Sequence, residues 1–510
     1  MTNWNEGYVS DLNYTYGYYR ELNPLHLKFA LTLAGIKTPT IKNVCELGFG
    51  QGLSLNFISA TLDAGVYGTD FNPSQAAFSS ELNIDSGLDA NIYDESFEVF
   101  CNRGDLPKFD IISLHGIWSW ISEKNRSIIV DFIRDNLSPG GVVYLGYNTL
   151  PGWSHMLAIR DYMLHISNST EANRSNIAES IKQSLNEVNK LIDAEPLILK
   201  SAPALKSQLE GLNSQAPEYL AHEYFNRDWM PMSFAEMSSR LTDAKLTFAT
   251  SADALDQISS ANFTEAQHSF LSQITDLTHR EMSKDLMINQ VFRKDYWVKG
   301  ARRLNNTERL NLLASQKICL ITDGEFEYAI IRHGRKITLE RSIYEPVLEK
   351  LSDYKPYTIA EISDCIPADA DQKFNMALEV ICVLLGCAFV SPAHENVNQA
   401  SIEKVKNLNR NLIQKIKPDA NMKHLCSPIA ATGIPMDWLG QLFVLSILNG
   451  GDQIEDLVSA ALDRMNLEGR RMQKNGSIIE NDAENISELR AKAKAFLEKK
   501  TPILRAHKIF

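Results

Sequence analysis

One eleven-residue stretch, Glu46-Leu-Gly-Phe-Gly-Gln-Gly-Leu-Ser-Leu-Asn56, narrows the possible folds more than any other part of the chain. A β-like segment, Ile41–Cys45, leads into it, and an apolar helix-like segment with Leu53, Leu55, Phe57 and Ile58 leads out. A second strand, Gly65–Thr69, ends on Asp70, eighteen residues after Gly52. Strand, glycine loop, helix, strand and terminal acid make half of a nucleotide-binding α/β unit. Gly48, Gly50 and Gly52 let the backbone bend tightly and approach a ligand with no Cβ in the way. Asp70, with Phe71 beside it, stands where a carboxylate accepts hydrogen bonds from a ribose diol.

The spacing selects among nucleotides. A dinucleotide loop reads G-x-G-x-x-G, its third glycine packing the helix that receives a pyrophosphate. Here the spacing is G-x-G-x-G and Glu46 precedes it. A buried carboxylate repels a pyrophosphate but suits a cation, such as the ammonium and sulfonium ends of S-adenosylmethionine. The loop therefore favours a class I methyltransferase over a dehydrogenase.

At 510 residues the chain exceeds one compact core, and two to four domains are expected. A net charge of −12 argues against a general nucleic-acid binder and suits a basic partner, such as a lysine-rich protein. Seven scattered cysteines without a C-x-x-C pair predict neither a zinc site nor a disulfide framework. The opening Met-Thr-Asn-Trp-Asn-Glu-Gly lacks the basic and apolar regions of a signal peptide, so the expected location is cytoplasmic, with no membrane insertion.

The predicted fold is a doubly wound, mainly parallel, Rossmann-like α/β sheet with a helical insertion and a separate α+β and helical C-terminal region. A cofactor-binding domain spans 1–165, with helix Leu25–Leu33 after Asn23-Pro24 and strands at Ala90–Tyr93, Phe109–Leu114 and Val142–Tyr147. Apolar residues three or four apart, from Ile177 to Ile192, make 166–216 an amphipathic helical insertion suited to a lid or a homodimer contact. A middle region, 217–300, completes the sheet with strands at His222–Phe225 and Leu246–Ala249 around a helix Phe234–Leu241; residues 251–300 read as largely helical. A winged-helix-like module is expected over 301–398, and helices over 399–510.

Candidate site residues follow from the rule that ligands bind at the carboxyl ends of parallel strands. Asp94 and Ser96 end strand three; Asp94 suits an adenine amine, while Asp-Glu-Ser before Phe97 also reads as a helix cap. His115-Gly-Ile-Trp118-Ser-Trp120 follows strand four, where a methyltransferase holds its acceptor. Neither an Asn/Asp-Pro-Pro-aromatic motif nor a Pro-Cys nucleophile is present there, which disfavours amide, adenine-amine and cytosine-carbon methylation. His115 and the tryptophans suggest a cage for an aliphatic group or an ammonium; packing of Trp118 or Trp120 against the sheet is the competing reading. Tyr147-Asn148 leaves strand five into the same crevice, placed to orient a nucleophile or to form a turn. The N-terminal tyrosines, Glu21 and Asn23 are candidates for a cover over the cofactor.

Together, Glu46 to Asp70, Asp94-Glu-Ser-Phe97, Leu114 to Trp120, Tyr147 to Trp153 and His222-Glu-Tyr-Phe-Asn226 with Trp229-Met-Pro231 resemble bacterial class I methyltransferases with a methyltransferase regulatory domain. The likeness continues through Phe292–Gly300 and Leu425–Pro435. That family includes lysine methyltransferases acting on bacterial outer-membrane proteins. The resemblance implies S-adenosylmethionine at Glu46, Gly48, Gly50, Gly52, Asp70 and Asp94, and an acceptor near His115, Tyr147 and Asn148. A protein lysine is the leading acceptor, a small-molecule hydroxyl or amine the alternative, and a non-catalytic cofactor-binding assembly protein the third reading.

Overall fold

The computed structural model describes residues 16–169, 177–215, 217–415, 422–474 and 476–510. Seven strands form its main sheet: β1 (Asn43–Leu47), β2 (Gly65–Thr69), β3 (Asn91–Tyr93), β4 (Phe109–His115), β5 (Leu137–Asn148), β6 (Leu246–Ser251) and β7 (Phe292–Lys299). Their spatial order is β3-β2-β1-β4-β5-β7-β6. Neighbours from β3 to β5 pair in parallel, while β7 runs antiparallel between β5 and β6. Val44, Ile111, Ile112, Val142 and Val143 fill the central strands and are buried, as expected of a sheet covered on both faces. Strand order reverses between β1 and β4, and a crevice opens beyond their carboxyl ends.

Local chemistry sets the helix starts. Asn23 caps α1 (Pro24–Leu33) and Asn72 caps α3 (Pro73–Asp85), each side chain accepting a hydrogen bond from the backbone two residues on, with proline at the first helical position. Between them α2 (Leu53–Thr61) follows the glycine loop and is buried throughout. That burial comes from the far end of the chain. Leu53, Phe57, Ala60 and Leu82 share one hydrophobic core with Val405, Leu408, Leu412 and Phe443, so the C-terminal helices cover α2 and α3. Lys415 pairs with Asp85 at 2.8 Å across this contact.

Three readings of the sequence need correction. His222–Phe225 is not a strand: Pro217–Tyr224 is a helix, its Leu220, Ala221 and Tyr224 buried at helical spacing. The strand that completes the sheet beside β5 is β7, within a stretch read as largely helical. Its alternation was masked by charge: Arg293 and Asp295 are buried on one face because they pair with each other at 2.8 Å. Finally, Ser138-Pro-Gly-Gly141 does not delay β5, which begins at Leu137.

The expected insertion is helical over Ile177–Asp193, Leu197–Ser201 and Pro203–Leu212. Farther on come strand Lys317–Leu320, the hairpin Ala329–Arg332 and Arg335–Thr338, three helices and strand Val390–Ala393. No helix among the described residues is long and apolar enough to cross a membrane. Tyr8 and Tyr14 lie outside the described residues.

Candidate functional site

The glycine loop turns from β1 into α2 with Gly48, Gly50 and Gly52 at φ +72°, +59° and +69°, a region side chains rarely occupy. Their neighbours differ. A Cβ on Gly48 would stand 2.5 Å from Ile117, in the cavity wall. A Cβ on Gly52 would stand 2.1 Å from the Ser79 hydroxyl of α3. Gly52 thus allows α2 to approach α3, and it does not line the cavity.

Glu46, Gly48, Gly50, Asp70, Phe71 and His115 do line it, with Gly17, Tyr19, Gln75, Phe97, Ile117 and Trp120 among their neighbours. The free volume is ≈80 Å3, well below the roughly 300 Å3 of an ordinary small-molecule site. Tyr19 and Trp120 are among the residues that narrow it.

Two carboxylates define the electrostatics. Asp70 accepts from the backbone of Gly50 at 2.8 Å and of Asn72 at 3.0 Å, fixing the loop against the start of α3. Burial pushes its carboxyl up to about 6 despite those two donors. Glu46 lies deeper. Burial first, and then the charge of Asp70, push it up to about 8, and its Oε2 has no partner among the described residues. Burial of one acid beside a second disfavours its ionised form unless a cation or donor meets it. The pair is suited to a ligand that brings positive charge and hydroxyl donors.

His115 forms the opposite wall. Tyr19 stacks on its ring at 3.6 Å, and its Nδ1 lies 2.7 Å from the Tyr144 hydroxyl. The tautomer of the ring decides which of the two groups donates. Burial lowers His115 to about 4, so it is neutral at physiological pH and presents no protonated acid.

Tyr19 belongs to a segment strapped down on both sides. Tyr18 meets the Thr432 hydroxyl at 2.6 Å, Arg20 donates to the carbonyls of Leu385 and Gly386, and Asn23 donates to Ala430 at 3.1 Å. Glu21 meets Lys294 at 2.5 Å. Burial opposes ionisation of Glu21, but Lys294 and Arg20 outweigh it and hold the carboxyl down at about 2. Glu21 and Asn23 are thus anchors of the cover rather than its inner surface.

Several residues expected at the acceptor end stand elsewhere. Trp118 is fully buried and donates toward the Met232 sulfur, while Trp120 in the same short 3-10 turn faces the cavity. Tyr147 is buried on the far face of the sheet, its hydroxyl donating to Asp295 at 3.0 Å. Asn148 is bound through its backbone to Ser119 and Met232; its side-chain nitrogen is buried without an acceptor among the described residues. Ser96 caps the turn Phe97–Phe100. Asp94 is exposed outside the cavity lining, its charge acting on Asp70. Phe49, Gln51, Gln75 and Ile121 line the cavity and were missed. Gln75, buried in the first turn of α3 after a cap at the crevice, was within reach of a helix-face argument.

Residues 216–299 match a family described as a predicted methyltransferase regulatory domain. The chain is 34% identical to an uncharacterized protein of Synechocystis sp., sll1526, over 98% of both chains. It is 30% identical to the uncharacterized protein RP789 of Rickettsia prowazekii over 54% of this chain and 49% of that one. The structure of PKMT2 from Rickettsia typhi in complex with AdoHcy superposes with a TM-score of 0.72 at 17% identity, covering 96% of this chain and 99% of PKMT2. The fold of that protein is therefore shared over nearly its whole length.

Proposed function

We propose that this chain, which belongs to the class I methyltransferases that carry a methyltransferase regulatory domain, transfers a methyl group from S-adenosylmethionine to a protein lysine amine. The observation that carries the donor assignment is the unpartnered, buried Glu46 carboxylate, set beside Asp70 on a loop of left-handed glycines. Bound there, S-adenosylmethionine supplies an electrophilic methyl on a positively charged sulfur.

The chain's own residues align and exclude. Glu46 favours the cationic end of the cofactor, Asp70 accepts from the ribose hydroxyls, and Gly48 and Gly50 permit close approach of the backbone. Phe97, Ile117 and Ile121 keep water from the reacting atoms. Holding donor and acceptor in line removes most of the entropic barrier to a displacement. A lysine amine must first lose a proton, its reference pKa being about 10.4. An apolar cavity with its own bound cation lowers that value by desolvation and repulsion. Neither His115, held neutral, nor Tyr147, committed to Asp295, is then needed as a base. The motifs resembling outer-membrane-protein lysine methyltransferases and the net charge of −12 support a basic protein acceptor.

A second reading, transfer to a small-molecule amine or hydroxyl, draws on the narrowness of the cavity. Radiolabelled S-adenosylmethionine incubated separately with a protein fraction and a small-molecule extract distinguishes them. Label in protein, lost with Asp70→Ala, supports the lysine reading. Label confined to small molecules supports the second.

A further inference from the structure

At the sheet edge beyond β6, a second cavity of ≈340 Å3 lies between that strand, the segment around Asn262 and the helix Leu277–Ile288. Its volume falls within the ordinary range for small-molecule sites. Glu281, Asp285 and Asp295 line its inner part, and all three are buried. They converge on one guanidinium: Arg293 gives Nε to Asp295 at 2.8 Å, Nη1 to Asp285 at 2.6 Å and Nη2 to Glu281 at 2.9 Å. Lys284, half-buried, adds a contact to Glu281 at 2.6 Å.

The donors run out at Asp295. Its Oδ2 takes both Arg293 and the Tyr147 hydroxyl, while its Oδ1 is buried with no donor among the described residues. A buried carboxylate oxygen does not forgo a hydrogen bond without cost. Burial outweighs the pull of Arg293 on Asp285 and pushes its carboxyl up to about 7. Toward solvent the sign reverses, because the half-buried Arg280 and the exposed Arg303 line the same cavity.

We propose that this cavity binds a small zwitterion of amino-acid size, its primary ammonium donating to Asp295 Oδ1 and its carboxylate facing Arg280 and Arg303. The three buried carboxylates would then meet a third cation beside Arg293 and Lys284, and the outer arginines an anion. This inference stands apart from the methyl-transfer reading, since none of these residues lines the cofactor cavity.

Calorimetry on the full-length chain tests it with three probes: L-lysine, 6-aminohexanoate and hexanoate, which keeps the carboxylate but lacks the ammonium. L-Lysine and 6-aminohexanoate are expected to bind, with hexanoate at least about tenfold weaker, the usual effect of one charge-assisted hydrogen bond. Asp295→Asn is expected to weaken L-lysine about tenfold while leaving affinity for S-adenosylhomocysteine unchanged; Asp285→Asn is expected to act in the same direction. If either variant fails to fold, the three probes on the unaltered chain decide. Equal binding of hexanoate, no heat from L-lysine at millimolar concentration, or L-lysine affinity that survives both substitutions would each overturn the assignment. So would tighter binding of magnesium than of any amine.

Discussion

Replacing Glu46 by glutamine separates the charge of this side chain from its shape, and two measurable quantities then move in opposite directions. Burial and Asp70 push the carboxyl up to about 8, so at pH 7 it is protonated in about nine molecules of ten. A ligand bearing an ammonium or sulfonium favours the ionised form, and binding releases close to one proton. The sign follows: the free protein holds the proton and the complex does not, so affinity rises with pH. The slope is about tenfold per pH unit between pH 6 and 8, levelling above. Glutamine has no proton to release, and the slope disappears. Stability shifts the other way. A carboxyl whose folded pKa is raised costs nothing below the unfolded value of 4.5 and its full penalty above about 8. Glu46→Gln removes that penalty and stabilises the free protein by a few kcal/mol near pH 8, as an order of magnitude. Calorimetry in buffers of different ionisation enthalpy counts the protons, and urea unfolding across pH 6–9 reads the stability. Proton uptake by the unaltered protein, or an unchanged pH slope in the variant, would refute the reasoning.

Three further outcomes are expected. Gly52→Ala brings a Cβ to 2.1 Å from the Ser79 hydroxyl at a φ of +69°, and should cost about 1–3 kcal/mol in urea unfolding. Arg293→Ala leaves Glu281, Asp285 and Asp295 without their shared cation and should lower stability by about 3–5 kcal/mol in the same assay; a loss below 1 kcal/mol would show the carboxylates to be neutralised by other means. His115→Gln should leave the shape of the kcat/KM–pH profile unchanged between pH 5 and 8, because burial holds His115 neutral across that window. A limb near pH 6.5 that vanishes in the variant would contradict this.

The donor half of the site was legible because local chemistry determined it. Glycine spacing, the acid before it and the acid ending β2 are constraints within one βα unit, and Asn72-Pro73 announced the next helix. The acceptor half depends on which way a short turn points. In Trp118–Trp120 the helical pitch sends one tryptophan into the core and the other to the cavity, and nothing in Trp-Ser-Trp distinguishes them. Tyr147 looked like a site residue because it ends β5; β7, hidden by its charges, supplies the Asp295 that engages it on the far face. The cover was legible as aromatic, but its anchoring to Thr432, Ala430 and Leu385 joins residues more than 350 positions apart, beyond any local pattern.

Mass spectrometry of proteins incubated with isotopically labelled S-adenosylmethionine and this enzyme reads both donor and acceptor at once. The predicted result is label on lysine side-chain nitrogens, present with the unaltered chain and absent with Asp70→Ala. Label only on carboxyl or hydroxyl groups, only in small molecules, or persisting undiminished in Asp70→Ala would contradict it.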